Sequence, residues 1–292
     1  MPGYDYLQPD SISEALEAKL ARGDQAVFVM GATDVLPLYR AGRMQFDTLI
    51  SLRGIKSLRT MLETEDGELV IGSGVTLSEL LENPVVQQRL PILHDAITRM
   101  GCTQMRNLAT LGGNLMNALS SGDTLPSLLC LEATCLLVSP RGERSLPITE
   151  IFTGPRRTAA GPDEILKEVV IKLPPENASG AFDKIGRRKA LDLAVVNLAA
   201  QLELAADGAI AAARLAAGAV GPTPLRLPGA EKLLSGARPE PELLARAAQA
   251  AQEEVSPWDD IRASAWYRRE LIKVMLPRVC RAALARLGFE TA

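Results

Sequence analysis

The chain has 292 residues, 47% apolar and 23% charged, with a formal net charge of −3. That is ordinary globular composition but too long for one typical core, so two or three domains are expected. The slight acidity argues against a nucleic-acid or anionic-membrane partner; no window reaches the roughly 18 apolar residues of a membrane span, so no membrane insertion is expected. Residues 1–5 carry neither the basic region nor the apolar core of a signal peptide, which points to the cytoplasm.

Ser11-Ile12-Ser13-Glu14 reads as a capping box, opening a helix that sets Leu16 and Leu20 one turn apart and stops at Gly23. Residues 26–30 read as a buried strand, followed by a glycine turn at Met30-Gly31-Ala32-Thr33-Asp34, a short helix over 35–41 ended by Gly42, and a second buried strand over 48–52. This β-turn-α-β opening can form a small parallel unit. Residues 58–63 and 69–72 flank Asp66-Gly67, a strong hairpin signal. Thr76-Leu77-Ser78-Glu79 is a second capping box, opening a helix through Leu81. A helix over 91–100 leads to a double-glycine loop, Ala109-Thr110-Leu111-Gly112-Gly113-Asn114, and residues 124–131 read as a helix. Strands are expected over 133–138 and 144–148, around Pro140-Arg141-Gly142, and over 165–173. Pro174-Pro175, with 176–180 after it, is the best domain boundary. Beyond it, strands are expected over 194–204 and 209–220 about Asp207-Gly208, then helices near 229–234, 241–254 and 263–287.

Three stretches can carry chemistry. The turn at 30–34 is either an ordinary β-to-α connection or a phosphate cradle, in which main-chain donors and the Thr33 hydroxyl reach an anion and Asp34 caps the next helix. In the double-glycine loop, Gly112 and Gly113 let main chain approach a ligand, Thr110 and Asn114 offer polar edges, and Asp123 can accept from ribose or ribityl hydroxyls. The alternative is a tight turn between core elements. Lys184-Ile185-Gly186-Arg187-Arg188-Lys189, with Asp192 after it, is either a solvated face or a positive field beside an electron-rich ring. The four cysteines, Cys102, Cys130, Cys135 and Cys280, form no C-x-x-C pair and read as reduced, mostly buried thiols; His94, the only histidine, reads as a helix residue. No nucleophile–base pair, paired carboxylates or metal cage is visible, so a cofactor must supply any chemistry.

In order and spacing these segments resemble the FAD-binding medium subunits of molybdenum hydroxylases, the xanthine dehydrogenase, aldehyde oxidoreductase and carbon monoxide dehydrogenase relatives. The family's A-G-G-T-D turn is similar to Met30 through Asp34, its T-[IL]-G-G-N segment to Thr110 through Asn114, with Arg106-Asn107 in the lead-in, and its D-[TLS]-x-P-x-L-L segment to Asp123 through Leu129. Its D-E-I-L segment is similar to Asp163 through Leu166, and its K-x-x-x-R-x-x-x-D stretch to Lys184 through Asp192. Bacterial xanthine dehydrogenase flavin subunits look nearest.

The resemblance implies an α+β fold: a two-lobed FAD-binding domain of the vanillyl-alcohol-oxidase (PCMH) type over residues 1–174, with lobes at about 1–55 and 56–174, then a C-terminal sheet-plus-helices domain over 175–292 similar to that of the carbon monoxide dehydrogenase flavoprotein. It implies non-covalent FAD lying extended between the lobes. Val27, Phe28, Val29, Met30, Gly31, Ala32, Thr33 and Asp34, with Ala109, Thr110, Leu111, Gly112, Gly113 and Asn114, would hold the pyrophosphate and neighbouring groups. Asp123 would bind further polar groups, Ile165 and Leu166 would pack near the adenine or ring system, and Lys184 would sit near the flavin ring. Three positions depart from the family: Ala32 replaces a second glycine, Met100 stands where some relatives place an aromatic residue against the flavin, and Asp183 where an aromatic residue commonly precedes the lysine. The cysteine-rich insertion of 4-hydroxybenzoyl-CoA reductases is absent, so a [4Fe–4S] cluster is not expected. The implied function is electron transfer: a large molybdopterin-binding partner oxidises the substrate, a small [2Fe–2S] partner passes electrons to FAD here, and NAD or another acceptor removes them. The competing class is a stand-alone FAD-dependent oxidoreductase that binds its own organic substrate.

Overall fold

The computed structural model describes residues 3–289. Met1 and Pro2, in the stretch examined for a leader, and residues 290–292, at the end of the expected second domain, lie outside them. The first lobe contains β1 (Asp5–Leu7), α1 (Ile12–Arg22), β2 (Ala26–Val29), α2 (Val35–Arg40) and β3 (Thr48–Ser51). Its sheet has the order β1-β3-β2, parallel throughout, as the β-turn-α-β pattern implies. Half of the first capping box forms. Ser11 Oγ accepts from the Glu14 amide, but the Glu14 carboxylate reaches back to the amide of Asp10 rather than Ser11. Leu16 is buried while Leu20 is 59% exposed. The buried position is Lys19, whose ammonium donates to the carbonyls of Gly23 and Ala26 at 3.0 and 2.6 Å and so ties the helix end to β2.

The second lobe runs through β4 (Met61–Glu63), β5 (Glu68–Gly72), α3 (Leu77–Glu82), α4 (Pro84–Arg89), α5 (Pro91–Thr98), α6 (Thr103–Arg106), α7 (Leu111–Asn117), α8 (Thr124–Cys130), β6 (Thr134–Ser139), β7 (Gly142–Pro147), α9 (Ile148–Ile151), β8 (Phe152–Gly154), β9 (Arg157–Thr158) and β10 (Ile165–Lys172). Five strands form an antiparallel sheet in the order β4-β5-β10-β6-β7, with the expected hairpins at its two edges. The Thr76 capping box is complete. The double-glycine segment is not a loop. Thr110 caps α7, its Oγ1 accepting from the Gly113 amide at 3.0 Å, so both glycines lie in the first helical turn.

The last part contains β11 (Ala178–Ile185), β12 (Val196–Leu204), β13 (Ile210–Gly218), β14 (Leu225–Arg226), α10 (Pro228–Leu234), α11 (Pro241–Glu254) and α12 (Ala265–Arg286). Its antiparallel sheet, β11-β12-β13-β14, is buried on both faces. Phe182, Ala199 and Ala216 join the core formed by α5 and α8 of the second lobe. Their neighbours in the pleat, Ala181, Leu198, Ala200, Leu215 and Ala217, join the core of α10, α11 and α12. Alternate residues of one sheet thus close two cores, and Arg286 of α12 seals the seam with paired bonds of 2.9 Å to both carboxylate oxygens of Asp95. Arg268 is wholly buried. It donates to the carbonyls of Val195 and Ala219 and pairs with Asp260 at 2.7 Å, pinning the segment before α12 to the sheet.

Candidate functional site

The two lobes meet along a cleft. Gly31, in the turn after β2, lies directly against the main chain of Leu108 and Ala109; a methyl at Gly31 would overlap the Leu108 carbonyl and come 3.0 Å from the Ala109 Cα. Glycine is required here so that the first lobe can approach the segment leading into α7. On either side the cleft opens into two chambers of about 420 and 330 Å³. They share walls at Phe28, Val29, Met30, Met44, Gly113 and Met116, so they form one elongated groove.

The larger chamber carries the polar groups. Ala32 has φ +55°, the left-handed region that an L-residue rarely occupies. It turns the chain so that the main-chain N–H groups of Gly31, Ala32, Thr33 and Asp34 make no hydrogen bond among the described residues. A run of unpaired amides in such a turn is an anion-binding concavity. Asp34 stands at the N-cap of α2, but its side chain does not cap; it pairs with Arg156 at 2.8 Å, and Arg156 also donates to Asn117 Oδ1. Arg43 adds positive charge to the chamber wall, while the charge of Arg156 is balanced by Asp34 beside it.

The α7 side differs from expectation in which groups are free. The amides of Leu111 and Gly112 donate to the carbonyls of Val75 and Ser73, and those of Gly113 and Asn114 are held by Thr110. The amide donors therefore come from the Gly31 turn, not from the double-glycine segment. The two glycines also serve different ends. A methyl at Gly112 would meet Ser73 Cβ at 2.5 Å and Ser73 O at 2.6 Å, so Gly112 is needed for packing. A methyl at Gly113 would touch only Thr110 Oγ1 at 3.0 Å, and Gly113 lines both chambers, so its missing side chain leaves room for a ligand. Asn114 Oδ1 accepts from the Thr124 hydroxyl at 2.7 Å, which leaves its NH2 as a donor on the chamber wall.

An ion pair lies beyond Met100, outside the walls of both chambers. Lys184 Nζ lies 2.5 Å from Asp123 Oδ2, and each side chain is 7% exposed. Lys184 also donates to the carbonyl of Arg99, next to Met100. Burial pushes the Asp123 carboxyl above its ordinary range, against the opposing pull of Lys184 and Asn197. The pairing corrects the sequence expectation, in which Asp123 and Lys184 act separately: neither charge is uncompensated. Lys184 lines a separate 390 Å³ cavity with Arg99, Arg187, Arg188 and Lys189, so neither it nor Asp123 lines the groove. The loop of this cation run is folded about Asp192, whose carboxylate accepts from the amides of Arg187 and Arg188.

The fold brings Phe28 through Asp34, Met100, Ala109, Thr110, Gly113 and Asn114 to the larger chamber, and Val27, Gly112, Ile165 and Leu166 to the smaller one. There Arg144 holds Glu164 by two short bonds and keeps its carboxyl below the usual range, while Asp163 is tied to Arg141. Leu111 is turned into the core and Asp183 pairs with Arg99 at the seam, so neither lines the groove. Sequence reasoning missed Lys19, Arg43, Met44, Met116, Asn117 and Arg156. Arg156, after Gly154-Pro155, and Arg43, after Gly42, stood beside turn signals that could have marked them.

Residues 2–174 match the family described as FAD binding domain in molybdopterin dehydrogenase, and residues 181–283 match the CO dehydrogenase flavoprotein C-terminal domain. The chain is 34% identical, over 97% of each sequence, to the putative xanthine dehydrogenase FAD-binding subunit of Escherichia coli K12. Carbon monoxide dehydrogenase from Hydrogenophaga pseudoflava contains a chain similar in structure, with a TM-score of 0.94, 29% identity and coverage of 98% of this chain and 99% of that one. A chain of quinoline 2-oxidoreductase from Pseudomonas putida 86 superposes with a TM-score of 0.92 at 30% identity, covering 99% of both.

Proposed function

The chain belongs to the FAD-binding family of the molybdopterin dehydrogenases, and from that premise we propose that it is the flavin subunit of a xanthine dehydrogenase-like molybdenum hydroxylase. Its partners are a large molybdopterin-binding subunit and a small [2Fe–2S] subunit, and NAD or another acceptor takes the electrons onward. A cytoplasmic location is supported by four free thiols, three of them buried. Residues 1–174 form the flavin-binding unit, in lobes 1–55 and 56–174, and residues 175–292 form a second unit whose sheet packs against the second lobe through Phe182, Ala199 and Ala216.

The observation that carries the reading is the run of unpaired amides from Gly31 to Asp34, on the wall of an elongated groove and opposite the space left by Gly113. It fits the pyrophosphate of a dinucleotide, which needs several converging donors. Thr33, Asn114 and Arg156 add polar contacts. Val27, Ile165 and Leu166 give the far chamber an apolar wall suited to a flat ring. Bound FAD supplies a centre that takes up electrons singly or in pairs. The protein binds and orients it along the groove, and Asp123 fixes one ammonium, Lys184, beyond Met100.

Reconstitution with FAD tests the reading. One FAD per chain is expected, with reduction by an organic substrate only when the molybdenum and iron–sulfur partners are present. A chain that takes up no FAD refutes the flavin assignment; reduction by an organic substrate in the isolated chain refutes the subunit role.

A further inference from the structure

Asn197 lies in β12, wholly buried, yet its side chain serves the second lobe. Its Nδ2 donates to Asp123 Oδ1 at 3.0 Å, with longer bonds to the carbonyls of Ser121 and Gly122 at 3.5 and 3.4 Å. Three acceptors on one side decide the orientation of the amide, because only its NH2 can face them. Asn197 Oδ1 then points the other way and has no hydrogen-bond partner among the described residues. It occupies the space beside Gly218, where any Cβ would overlap it. Leaving a buried acceptor unpaired is costly, so this arrangement persists only because the contact with Asp123 outweighs that cost.

We infer that Asn197 is a positioning residue for Lys184, the ammonium that the proposed function sets beside the flavin: it clamps Asp123 Oδ1 so that Oδ2 holds the Lys184 ammonium in place. It rests on the function proposed above. Asp123 follows Gly122 at the start of α8, Lys184 is on β11 and Asn197 on β12, so the clamp joins three elements. The charged groups around the pair are Asp192, in the loop after β11, Arg187, Arg188 and Lys189, which share a cavity wall with Lys184, and Arg99, which is itself bound to Asp183. Asn197 is the only side chain, besides Lys184, with a recorded hydrogen bond to the Asp123 carboxylate among the described residues. Without it one oxygen of a buried carboxylate has no side-chain donor, the carboxyl favours its neutral form, and Lys184 loses its counter-charge.

Asn197→Asp tests this directly, because it preserves shape and replaces a donor by a titratable group. With both carboxyls ionised the contact is repulsive; with the new one protonated, its O–H donates to Asp123 as the amide did. FAD affinity, read by quenching of flavin fluorescence on titrating apoprotein, should fall about tenfold or more at pH 8. It should recover towards the wild-type value as pH drops to about 5, through the raised range expected of a carboxyl beside a buried carboxylate. Wild type should show no such recovery. Affinity within twofold of wild type throughout, or the same loss at every pH, overturns the inference. Should Asn197→Asp fail to fold, Asp123→Asn/Asn197→Asp restores one donor and one carboxylate across the contact but moves the charge away from Lys184. It should fold and still bind FAD weakly; wild-type affinity overturns the inference, and so does continued failure to fold, because the restored contact would then not be what the first variant lost. Failure of wild type to bind FAD in the same titration would instead refute the function proposed above.

Discussion

Gly112 and Gly113 are adjacent in α7, but an added methyl meets different surroundings at each. At Gly112 the new Cβ stands 2.5 Å from Ser73 Cβ and 2.7 Å from Ser73 Cα. Relaxed carbon–carbon contact is about 3.5–4.0 Å, so the main chain after β5 must retreat by about 1 Å. Overpacking costs about 1–3 kcal/mol, and a backbone neighbour puts Gly112→Ala at the upper end. The helix preference of alanine over glycine returns about 1 kcal/mol. The net loss is about 2 kcal/mol, a fall in Tm of about 4–8 °C for a chain of this size. At Gly113 the methyl touches only Thr110 Oγ1, at 3.0 Å. The same helix gain offsets that contact, and Tm should stay within about 2 °C of wild type. FAD affinity should reverse the ranking. Gly113→Ala fills the wall shared by both chambers and should raise the FAD Kd about tenfold, or about 1.4 kcal/mol. Calorimetry of the apoprotein and a flavin fluorescence titration read the two effects separately. Equal losses of Tm in both variants, or a Gly113→Ala protein with unchanged FAD affinity, would refute this division of roles.

Ala32→Gly should stabilise the apoprotein. The left-handed conformation of Ala32 costs about 1–2 kcal/mol, glycine gives back about 0.4–1 kcal/mol through the unfolded chain, and the net gain of about 0.5–1 kcal/mol should raise Tm by about 1–4 °C; a fall in Tm would contradict it. Asp260 predicts an acid limit to stability. Burial raises its carboxyl, but hydrogen bonds from the Arg262 side chain and the amides of Arg262 and Ala263 outweigh that and hold it at about 2. A folded value below the unfolded one stabilises above about pH 4 and loses that contribution as pH falls towards 2. The difference in unfolding free energy between wild type and Asp260→Asn should be about 2 kcal/mol at pH 6 and shrink through that window; a difference independent of pH would refute it.

How far the sequence revealed the structure can be argued from particular elements. The β2–turn–α2 opening was legible because a short apolar run, a glycine and a short helix pattern are all local signals, and the observed parallel pairing of β2 with β3 follows from them. The Thr76 capping box was legible for the same reason. The α7 helix was not. Two glycines lower helix propensity by about 1 kcal/mol each, and what overrides them is tertiary: the strand end at Ser73 and Val75 takes two first-turn amides, and only glycine fits at Gly112. β11 was hidden by Pro174-Pro175 and Gly180, which read as linker; its burial comes from pairing with β12, far along the chain. The left-handed turn at Ala32 has no signal in the alanine itself, which does not favour it; the only hint is that the family the chain resembles has a glycine there.

The site residues divide along the same line. Met30 through Asp34 and Asn114 were legible because glycine and small polar residues in a turn announce an approach to a ligand, whereas Phe28 and Val29 came only with the family resemblance. Lys184 was found as a charge, but its state was misjudged, because a cation run is visible in sequence and its counter-ion is not. Asp123 lies 61 residues earlier and Asn197 lies on the next strand. No periodicity connects them; only the sheet that closes both cores does. This explains why the Asp123–Lys184 pair belongs to both halves of the chain. Lys184 leaves β11 next to the seam, Asp123 enters α8 on the other side, and Asn197 is buried between them in a sheet whose two faces are both occupied. A displacement of β12 cannot be absorbed on one face alone, so it must reach the Asp123–Lys184 pair.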